Sequence, residues 1–278
     1  MRKVHLFLAA SFMALPTIAQ ADGRNPTSVT PVLLNTQTYA QNFDSIATSG
    51  TSNAALPAGF QIFERGDGVA ADGIYAAGTG SSNAGNTYSF GVAGGADRAL
   101  GSLASGSVSE ILFGALFTNQ LSGTITGLNF QYSGEQWRAG NSTDDRLTFE
   151  FSTNASQIDN GTWTEFSALN FSPIILTGDT ALNGNLTGNL RSISGLISGL
   201  SIAQGSNFGF RFRDNNATGN DHGLAVDNLS FTAALAPVSA IPEPSTWAML
   251  LVGFAGIGAM LRRRTTRRVR FDLNLGKG

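Results

Sequence analysis

The residues that could do acid–base or metal chemistry in this chain are almost all carboxylates. The 278-residue sequence has no cysteine, and His222 is the one histidine beyond residue 21. Disulfides and cysteine-ligated zinc are therefore excluded, as are sites built from several histidines. A Ser-His-Asp triad would have to use His222 with a distant serine, and no Gly-x-Ser-x-Gly turn marks one. A carboxylate pair of the glycosidase type stays open, with Glu135, Glu150 and Glu165 among the available groups.

Charge is unevenly distributed along the sequence. The formal net charge is −2, but residues 22–240 hold 17 Asp and Glu against 8 Arg and no Lys. The last 17 residues hold 7 Lys and Arg against 1 Asp. An acidic, lysine-free body argues against nucleic acid as a partner, because phosphate neutralisation needs basic side chains. The same body is compatible with calcium or with neutral polysaccharide.

The elements that must position these carboxylates are predicted to be strands. No helix-period pattern of convincing length lies between residues 22 and 237, whereas runs such as 125–133 and 207–213 alternate apolar and polar residues. Roughly ten such strands predict an all-β fold, a single β-sandwich of the jelly-roll type over residues 22–236. Residues 134–141 are predicted to be a polar loop. Residues 207–213 and 223–232 are predicted to form a long hairpin or a neighbouring pair of strands.

The N-terminus has the three parts of a secretory signal peptide. Arg2 and Lys3 precede an apolar run from Leu6 to Leu15, and Ala19-Gln20-Ala21 has the small-x-small form of a cleavage site. Residues 1–21 are therefore predicted to be removed on export by the Sec route. An anchor that is never cut is the alternative.

The C-terminus has a similarly ordered pattern. A linker over residues 237–244 ends in Pro242-Glu243-Pro244, and 15 residues without a charge follow from Trp247 to Leu261. A helix of 15 residues covers only about 22 Å, so spanning the membrane core requires residues 245–262 and snorkelling arginine stems. This pattern predicts a transmembrane helix over 245–262 and a basic cytoplasmic tail over 263–278. A buried core helix followed by a solvated charge run is the alternative.

This C-terminal segment closely resembles the PEP-CTERM sorting signal. The resemblance rests on the tripeptide Pro242-Glu243-Pro244, on Trp247, and on the apolar run that ends at three arginines, Arg262, Arg263 and Arg264. It implies that an exosortase, a membrane-embedded cysteine protease, recognises and cuts the chain near the tripeptide at the inner membrane. The chain departs from the pattern by continuing through residues 271–278 after the arginines.

The body resembles, more diffusely, the jelly-roll modules of secreted bacterial adhesins. The resemblance rests on Phe43-Asp44 near the start and on the strand containing Asp227 near the end. In such modules the first and last strands are neighbours, and their acidic residues can share a calcium ion. The resemblance therefore nominates Asp44 and Asp227 as calcium ligands, with further oxygens needed to complete six to eight. The alternative is that Asp44 caps a turn and Asp227 binds backbone.

The sequence predicts a non-enzymatic, exported surface or matrix protein. Exopolysaccharide is a candidate ligand, because Trp137, Trp163 and Tyr132 could stack on sugar rings if they are exposed. The alternative is that Trp163 and Tyr132 are ordinary core residues. The alternative function is a secreted hydrolase that acts on polysaccharide through two carboxylates. That alternative requires the pair to converge in a concave sheet face at about 5–10 Å, beside aromatic residues.

Overall fold

The computed structural model describes residues 29–237 and 244–271. The predicted signal peptide, Pro242, Glu243 and residues 272–278 lie outside the described residues. The chain divides into two compact units between Ala236 and Pro237. Each unit is described by itself below.

The described residues of the first unit are folded almost entirely as strands. The strands are β1 (Val32–Leu34), β2 (Thr38–Gln41), β3 (Phe60–Arg65), β4 (Tyr75–Gly78), β5 (Asn86–Phe90), β6 (Ala99–Leu103), β7 (Glu110–Asn119), β8 (Ile125–Ala139), β9 (Thr148–Ser152), β10 (Thr164–Glu165), β11 (Thr180–Ala181), β12 (Leu190–Ile202), β13 (Asn207–Asn215) and β14 (Gly223–Leu235). Two short 3-10 turns cover Ser167–Leu169 and Thr187–Asn189. The all-β prediction is confirmed.

The strands form two sheets that face each other as a β-sandwich. In sheet A the order is β1-β7-β13-β9-β10, and β3 pairs with β7 beyond the end of β1. In sheet B the order is β11-β8-β14-β6-β5-β4, with β12 beside β8 and β2 beside β14. β14 is thus a central strand, bonded to β8 on one side and to β2 and β6 on the other.

Phenylalanine side chains from both sheets fill the space between them. Phe208, Phe210 and Phe212 of β13 point inward, and so do Leu128, Phe130 and Tyr132 of β8, all of them at most 1% exposed. Each inward residue is separated from the next by one residue because successive strand side chains point to opposite faces. β7 is buried on both faces, as its continuous apolar run predicts.

Two sequence-based predictions about the body are wrong. Residues 134–141 are not a loop, because β8 continues unbroken from Ile125 to Ala139. Its polar and glycine residues suggest a turn, but they pair with β14 on one side and with β12 and then β11 on the other. The strands β13 and β14 are not a hairpin either, since β13 belongs to sheet A and β14 to sheet B.

The second unit contains one described helix, α1 (Pro244–Phe271). Pro244 is its first residue, a position that proline favours because its missing N–H would be unpaired there. The helix does not end at residue 262 as predicted, because arginine is a good helix former and the turns continue through the basic stretch. Within residues 29–237 and 244–271, no helix is both long and apolar enough to cross a membrane, so the transmembrane prediction is not confirmed.

Candidate functional site

The two aspartates nominated as calcium ligands lie at one junction of the fold. β2 runs antiparallel to β14, with Gln41 opposite Leu229, so the first predicted strand does lie beside the last. Asp44 follows the end of β2, and Asp227 lies on β14 at a bulge before Ser230. The residues next to them, Phe43 and Asn228, have positive φ of 57° and 49°. This left-handed backbone is uncommon outside glycine and turns the chain locally at both carboxylates.

Two further carboxylates, Asp97 and Glu135, join Asp44 and Asp227. We call these four residues the outer cluster, because Glu135 and Asp227 are on the face of sheet B that points away from the main core. Burial, followed by the charges of Glu135, Asp97 and Asp44, raises the pKa of Asp227 to about 7. Burial is the main cause that raises the pKa of Glu135 to about 7, and the negative charge of Asp97 adds to the effect. Asp227 therefore lies close enough to the other three carboxylates for them to disfavour its ionised form, and Asp97 does the same for Glu135.

Amide groups supply the hydrogen bonds of the outer cluster. The side-chain amides of Asn42, Asn185 and Asn228 each donate a 2.6 Å bond, to Asp44, Asp97 and Asp227 respectively. Oδ1 of Asp227 is buried and has no hydrogen-bond partner. A carboxylate oxygen left in this state costs free energy unless a donor or a cation completes it. The outer cluster thus has one acceptor still to be satisfied.

The connection between β11 and β12, residues 182–189, covers part of this face, and we call it the covering loop. The backbone N–H of Leu182 donates a 2.8 Å bond to the Trp137 carbonyl, and a Cβ on Gly184 would lie 2.4 Å from the Trp137 indole. The loop therefore rests directly on the indole, which stacks with Phe90 at 6.0 Å between ring centroids. As a result Trp137 is 1% exposed and Glu135 is 3% exposed.

The donors of the outer cluster are the oxygens that calcium prefers. Calcium takes six to eight oxygen ligands from carboxylates, carbonyls, amides and water. Within the described ranges 29–237 and 244–271, however, no three His, Asp or Glu side chains already form a metal-holding group. An ion would draw Asp227 and its neighbours together and use backbone or amide oxygens as well. Sequence reasoning nominated only two of the four carboxylates.

The carboxylates considered for hydrolysis have other partners. Glu150 of β9 bonds to Arg211 at 2.6 Å and to Arg213 at 3.1 Å. Glu165 is its cross-strand neighbour on β10 and accepts a 2.7 Å bond from Asn170. Glu135 lies on the other sheet and accepts a 2.9 Å bond from the Trp137 indole. Glu150 and Glu165 are therefore neighbours that already have other partners, and Glu135 lies apart from them.

His222 has no ring nitrogen free for catalysis. Its Nδ1 accepts a 2.8 Å bond from the Gly140 N–H, which places the ring proton on Nε2, 2.9 Å from the Ser142 carbonyl. Gln136 also lies 3.1 Å from Nδ1. The buried imidazole thus ties the β8–β9 connection to the start of β14.

The aromatic residues considered for sugar stacking do not form an exposed platform. Trp137 and Tyr132 are each 1% exposed, so the prediction that they could stack on sugar rings is wrong. Their positions on β8 face the covering loop and the core, respectively. Trp163 is half-buried and carries the Arg211 guanidinium 4.5 Å from its ring centre. That cation occupies one face of the indole.

A groove beside the edge strand β4 offers a different binding surface. Its volume is about 370 Å³, and its walls include the hydroxyl groups of Thr48, Ser49, Thr51, Thr79, Ser81 and Ser82. Asn86 and Tyr88 also line it, and no carboxylate does. We call this the hydroxyl groove. Its walls carry hydroxyl groups and one cation, Arg98, and so differ from the acidic outer cluster.

The described part of the sorting segment is open to solvent. Trp247 is 61% exposed, and the apolar side chains between it and Leu261 are similarly exposed, including Met249, Val252 and Phe254. Arg262 and Arg263 follow on the exposed surface of α1. Pro242 and Glu243 lie outside the described residues, as do the side chains of Pro244 and Arg264.

The fold and the C-terminal segment together define a class of protein, a β-sandwich body that ends in a sorting segment. The segment is a PEP-CTERM protein-sorting motif, which matches residues 240–264. The chain is therefore an exported protein that an exosortase sorts. No curated protein matches the chain.

Three solved structures are similar to the chain at low identity. The K1 cleaved adhesin domain of Lys-gingipain from Porphyromonas gingivalis W83 is 13% identical, over 71% of this chain and 98% of that one, with a TM-score of 0.38. The CBM22-1–GH10 modules of a Clostridium thermocellum xylanase with xylohexaose are 12% identical, over 76% and 30%, with a TM-score of 0.30. TmCBM61 with β-1,4-galactotriose is 8% identical, over 50% and 72%, with a TM-score of 0.27. At TM-scores below 0.5 these likenesses carry no functional argument.

Proposed function

We propose that this chain is a non-enzymatic surface or extracellular-matrix protein, with a calcium-stabilised body that binds exopolysaccharide. The observation that carries the proposal is the junction of β2 with β14, where Asp44 and Asp227 meet Asp97 and Glu135. Such a junction fastens the first part of the body to the last strand before the sorting segment. The engagement of Glu150 by Arg211 and Arg213, of Glu165 by Asn170 and of Glu135 by Trp137 favours binding over hydrolysis.

The proposed route begins with export through the Sec pathway and removal of residues 1–21. The apolar stretch from Trp247 to Leu261 then holds the chain at the inner membrane, with the arginines on the cytoplasmic side. Nine large apolar side chains of α1 are at least half exposed, which supports an apolar partner for this face. Exosortase cuts near Pro242-Glu243-Pro244, and the body passes to the cell surface or the matrix.

The proposed calcium ion occupies the outer cluster. Its charge would relieve the repulsion among four carboxylates and complete the buried Oδ1 of Asp227. Burial in this place is costly for an uncompensated charge, so the ion and the covering loop stabilise each other. Bound calcium therefore favours the folded body over the unfolded chain.

The hydroxyl groove is the proposed contact for exopolysaccharide. Sugar hydroxyls can both donate and accept, as can the Ser and Thr hydroxyls that line the groove. The groove lacks carboxylates, so it would not repel a neutral or acidic glycan at short range. Binding here replaces the aromatic stacking expected from the sequence.

The sorting part of the proposal is tested in the native host by changing Pro242-Glu243-Pro244 to three alanines. Wild-type protein is expected outside the cell, with a mass that lacks the residues beyond the cut. The variant is expected intact in the inner-membrane fraction. A control variant changes Val238 and Ser239 to alanine, just before the matched residues 240–264. An intact wild type in the inner membrane would overturn the sorted-surface proposal.

A further inference from the structure

A second group of carboxylates is enclosed at one end of the sandwich, away from the outer cluster. Asp214 is on β13, two residues beyond the inward-facing Phe212, so its side chain also points between the sheets. Ser102 lies on β6 of the opposite sheet, two residues beyond the inward-facing Leu100, so its side chain also points between the sheets. The Ser102 hydroxyl and the Ala104 amide lie beside the Asp214 carboxylate. We call Asp145, Asp214 and Ser102 the inner cluster.

Asp145 brings a second carboxylate directly against Asp214. It lies between β8 and β9, and its Oδ2 accepts a 2.6 Å bond from the His222 N–H. The Asp145 and Asp214 carboxyl groups are direct neighbours. Asp214 is 0% exposed and Asp145 is 3% exposed. Burial, followed by the charge of Asp145, raises the pKa of Asp214 well above its ordinary value.

The inner cluster has unusually many unsatisfied oxygens. Neither Oδ atom of Asp214 has a hydrogen-bond partner, and neither does Oδ1 of Asp145 or Oγ of Ser102. The ion pairs of the described residues involve Glu110 and Glu150, not these aspartates. Buried polar groups in native proteins are nearly always bonded, and two touching carboxylates cannot both be ionised without a compensating charge. The site is therefore complete only with a shared proton or a bound cation.

The number and type of the free oxygens favour a cation. A shared proton joins the two carboxyl groups but leaves the buried pair with one negative charge, and the Ser102 hydroxyl and the Ala104 amide beside Asp214 are neutral donors. A cation with oxygen ligands contacts both carboxylates and the Ser102 oxygen at once. Both ring nitrogens of His222 are already engaged, so the donor set is oxygen alone. Such a set suits calcium better than zinc.

A solvent-filled cavity lies beside Ala104 and Asp221, two residues that interact with the inner cluster. This polar cavity has a volume of about 320 Å³. Burial, and the charge of Asp145, raise the pKa of Asp221 to about 7. Asp221 thus lines the cavity and also interacts with Asp145 of the inner cluster, whereas Arg138 and Asp179 contribute one charge of each sign to the cavity wall.

We propose that the inner cluster of Asp145, Asp214 and Ser102 binds a divalent cation of the calcium type, separately from the outer cluster. Within residues 29–237 and 244–271 no three acidic or histidine side chains stand ready as a metal cage. The two carboxylates and the hydroxyl are therefore completed by backbone carbonyls and by water entering from the cavity. The ion fastens β13 of sheet A to β6 of sheet B.

The test counts calcium bound to the purified full-length chain after equilibrium dialysis against calcium chloride. Asp214→Asn removes one inner charge at nearly constant shape, and Asp227→Asn does the same in the outer cluster. Asp144→Asn is the matched control, because Asp144 is the exposed neighbour of Asp145. Wild type and control are expected to bind two ions, each single variant one ion, and the double variant none.

The two sites are read independently. If the outer cluster binds nothing, wild type and Asp227→Asn still bind one ion that Asp214→Asn loses, and the inner site stands. An Asp214→Asn protein that is folded and binds as many ions as wild type overturns the inner site and indicates a shared proton. If Asp214→Asn does not fold, the number of calcium ions bound to Asp227→Asn tests the inner site. One bound ion supports the inner site, and no bound ion overturns it.

Discussion

The indole N–H of Trp137 donates a 2.9 Å hydrogen bond to Oε2 of Glu135, two residues earlier on the same face of β8. This bond joins an aromatic residue that the sequence suggests for sugar binding to a carboxylate of the outer cluster. It holds the Trp137 indole against the outer face of sheet B, beneath the covering loop, and orients the Glu135 carboxylate. Trp137 therefore positions the proposed calcium site and does not face a glycan.

Asp227→Asn is expected to remove the calcium-dependent part of the stability of the body. Wild type should gain about 2.7 kcal/mol when calcium is 100-fold above its Kd at the outer cluster, because the ion binds only the folded chain. Thermal melts with calcium and with EDTA measure the difference. Asp67→Asn, at an exposed aspartate, should keep the full calcium response. A variant that melts as wild type does, with the same response, would remove the ion from the outer cluster.

Glu64 should make the chelated protein less stable as pH rises. Its carboxylate is 0% exposed, and burial raises its pKa despite bonds from Thr87 and Gly73. In the unfolded chain the glutamate pKa is about 4.3. Above that pH the unfolded chain releases a proton that the folded chain retains, because the folded pKa is higher. This contribution is complete below the unfolded pKa and is lost as pH rises through the folded pKa.

The check is the change in Tm between pH 5 and pH 8, in EDTA. Glu64→Gln should show a smaller decrease in Tm than wild type, because its side chain does not titrate. The exposed Glu165 offers a control, since Glu165→Gln should leave the slope unchanged. An equal slope in Glu64→Gln and wild type would contradict the assignment.

Filling the hydroxyl groove should abolish glycan binding without unfolding the body. Ala84 lines the groove and is exposed, so Ala84→Trp places an indole in the cavity. We expect affinity for exopolysaccharide extracted from the native host to decrease roughly tenfold or more, or at least about 1.4 kcal/mol. Affinity electrophoresis measures it, with Ala168→Trp as a control on an exposed 3-10 turn. Unchanged retention of Ala84→Trp would place the glycan elsewhere.

Two glycines with nearly the same φ allow the cost of left-handed backbone to be measured separately from the cost of a steric clash at Cβ. Gly80 and Gly94 have φ of 77° and 72°, but a Cβ on Gly80 would lie 1.8 Å from the Trp137 carbonyl oxygen, and one on Gly94 meets nothing within 4 Å. Gly94→Ala should cost about 1–2 kcal/mol through the left-handed backbone alone. Gly80→Ala should cost at least about 2 kcal/mol more, because β8 must shift. Urea denaturation compares them, and equal costs would refute the close approach.

The inward faces of the strands were predictable from sequence, whereas the sites were only partly so. The alternation of Phe208, Phe210 and Phe212 with arginines indicates which side faces the core, and the structure confirms it. Glu135 was considered for hydrolysis but not as a neighbour of Asp227, because its polar and glycine neighbours in sequence resemble a turn. Its burial comes from a loop about 50 residues further along the chain, and no local pattern encodes that contact.

The inner cluster illustrates the same limit. Asp145, Asp214 and Ser102 come from three separate elements, and each has ordinary polar neighbours in sequence. Only the pairing of β13 within sheet A and of β14 within sheet B brings them to one end of the sandwich. The predicted hairpin of β13 with β14 would have placed Asp214 in the wrong sheet.

The central position of β14 has a mechanical consequence for an attached protein. The chain leaves the body just after Leu235, so tension applied through the linker enters along β14. That strand is bonded along both edges, to β8 on one side and to β2 and β6 on the other. A pull along the strand loads these bonds together in shear, whereas a strand at a sheet edge could peel away one bond at a time. In the proposed attached protein, a pull on the C-terminal end of the body is therefore resisted by the bonds on both edges of β14.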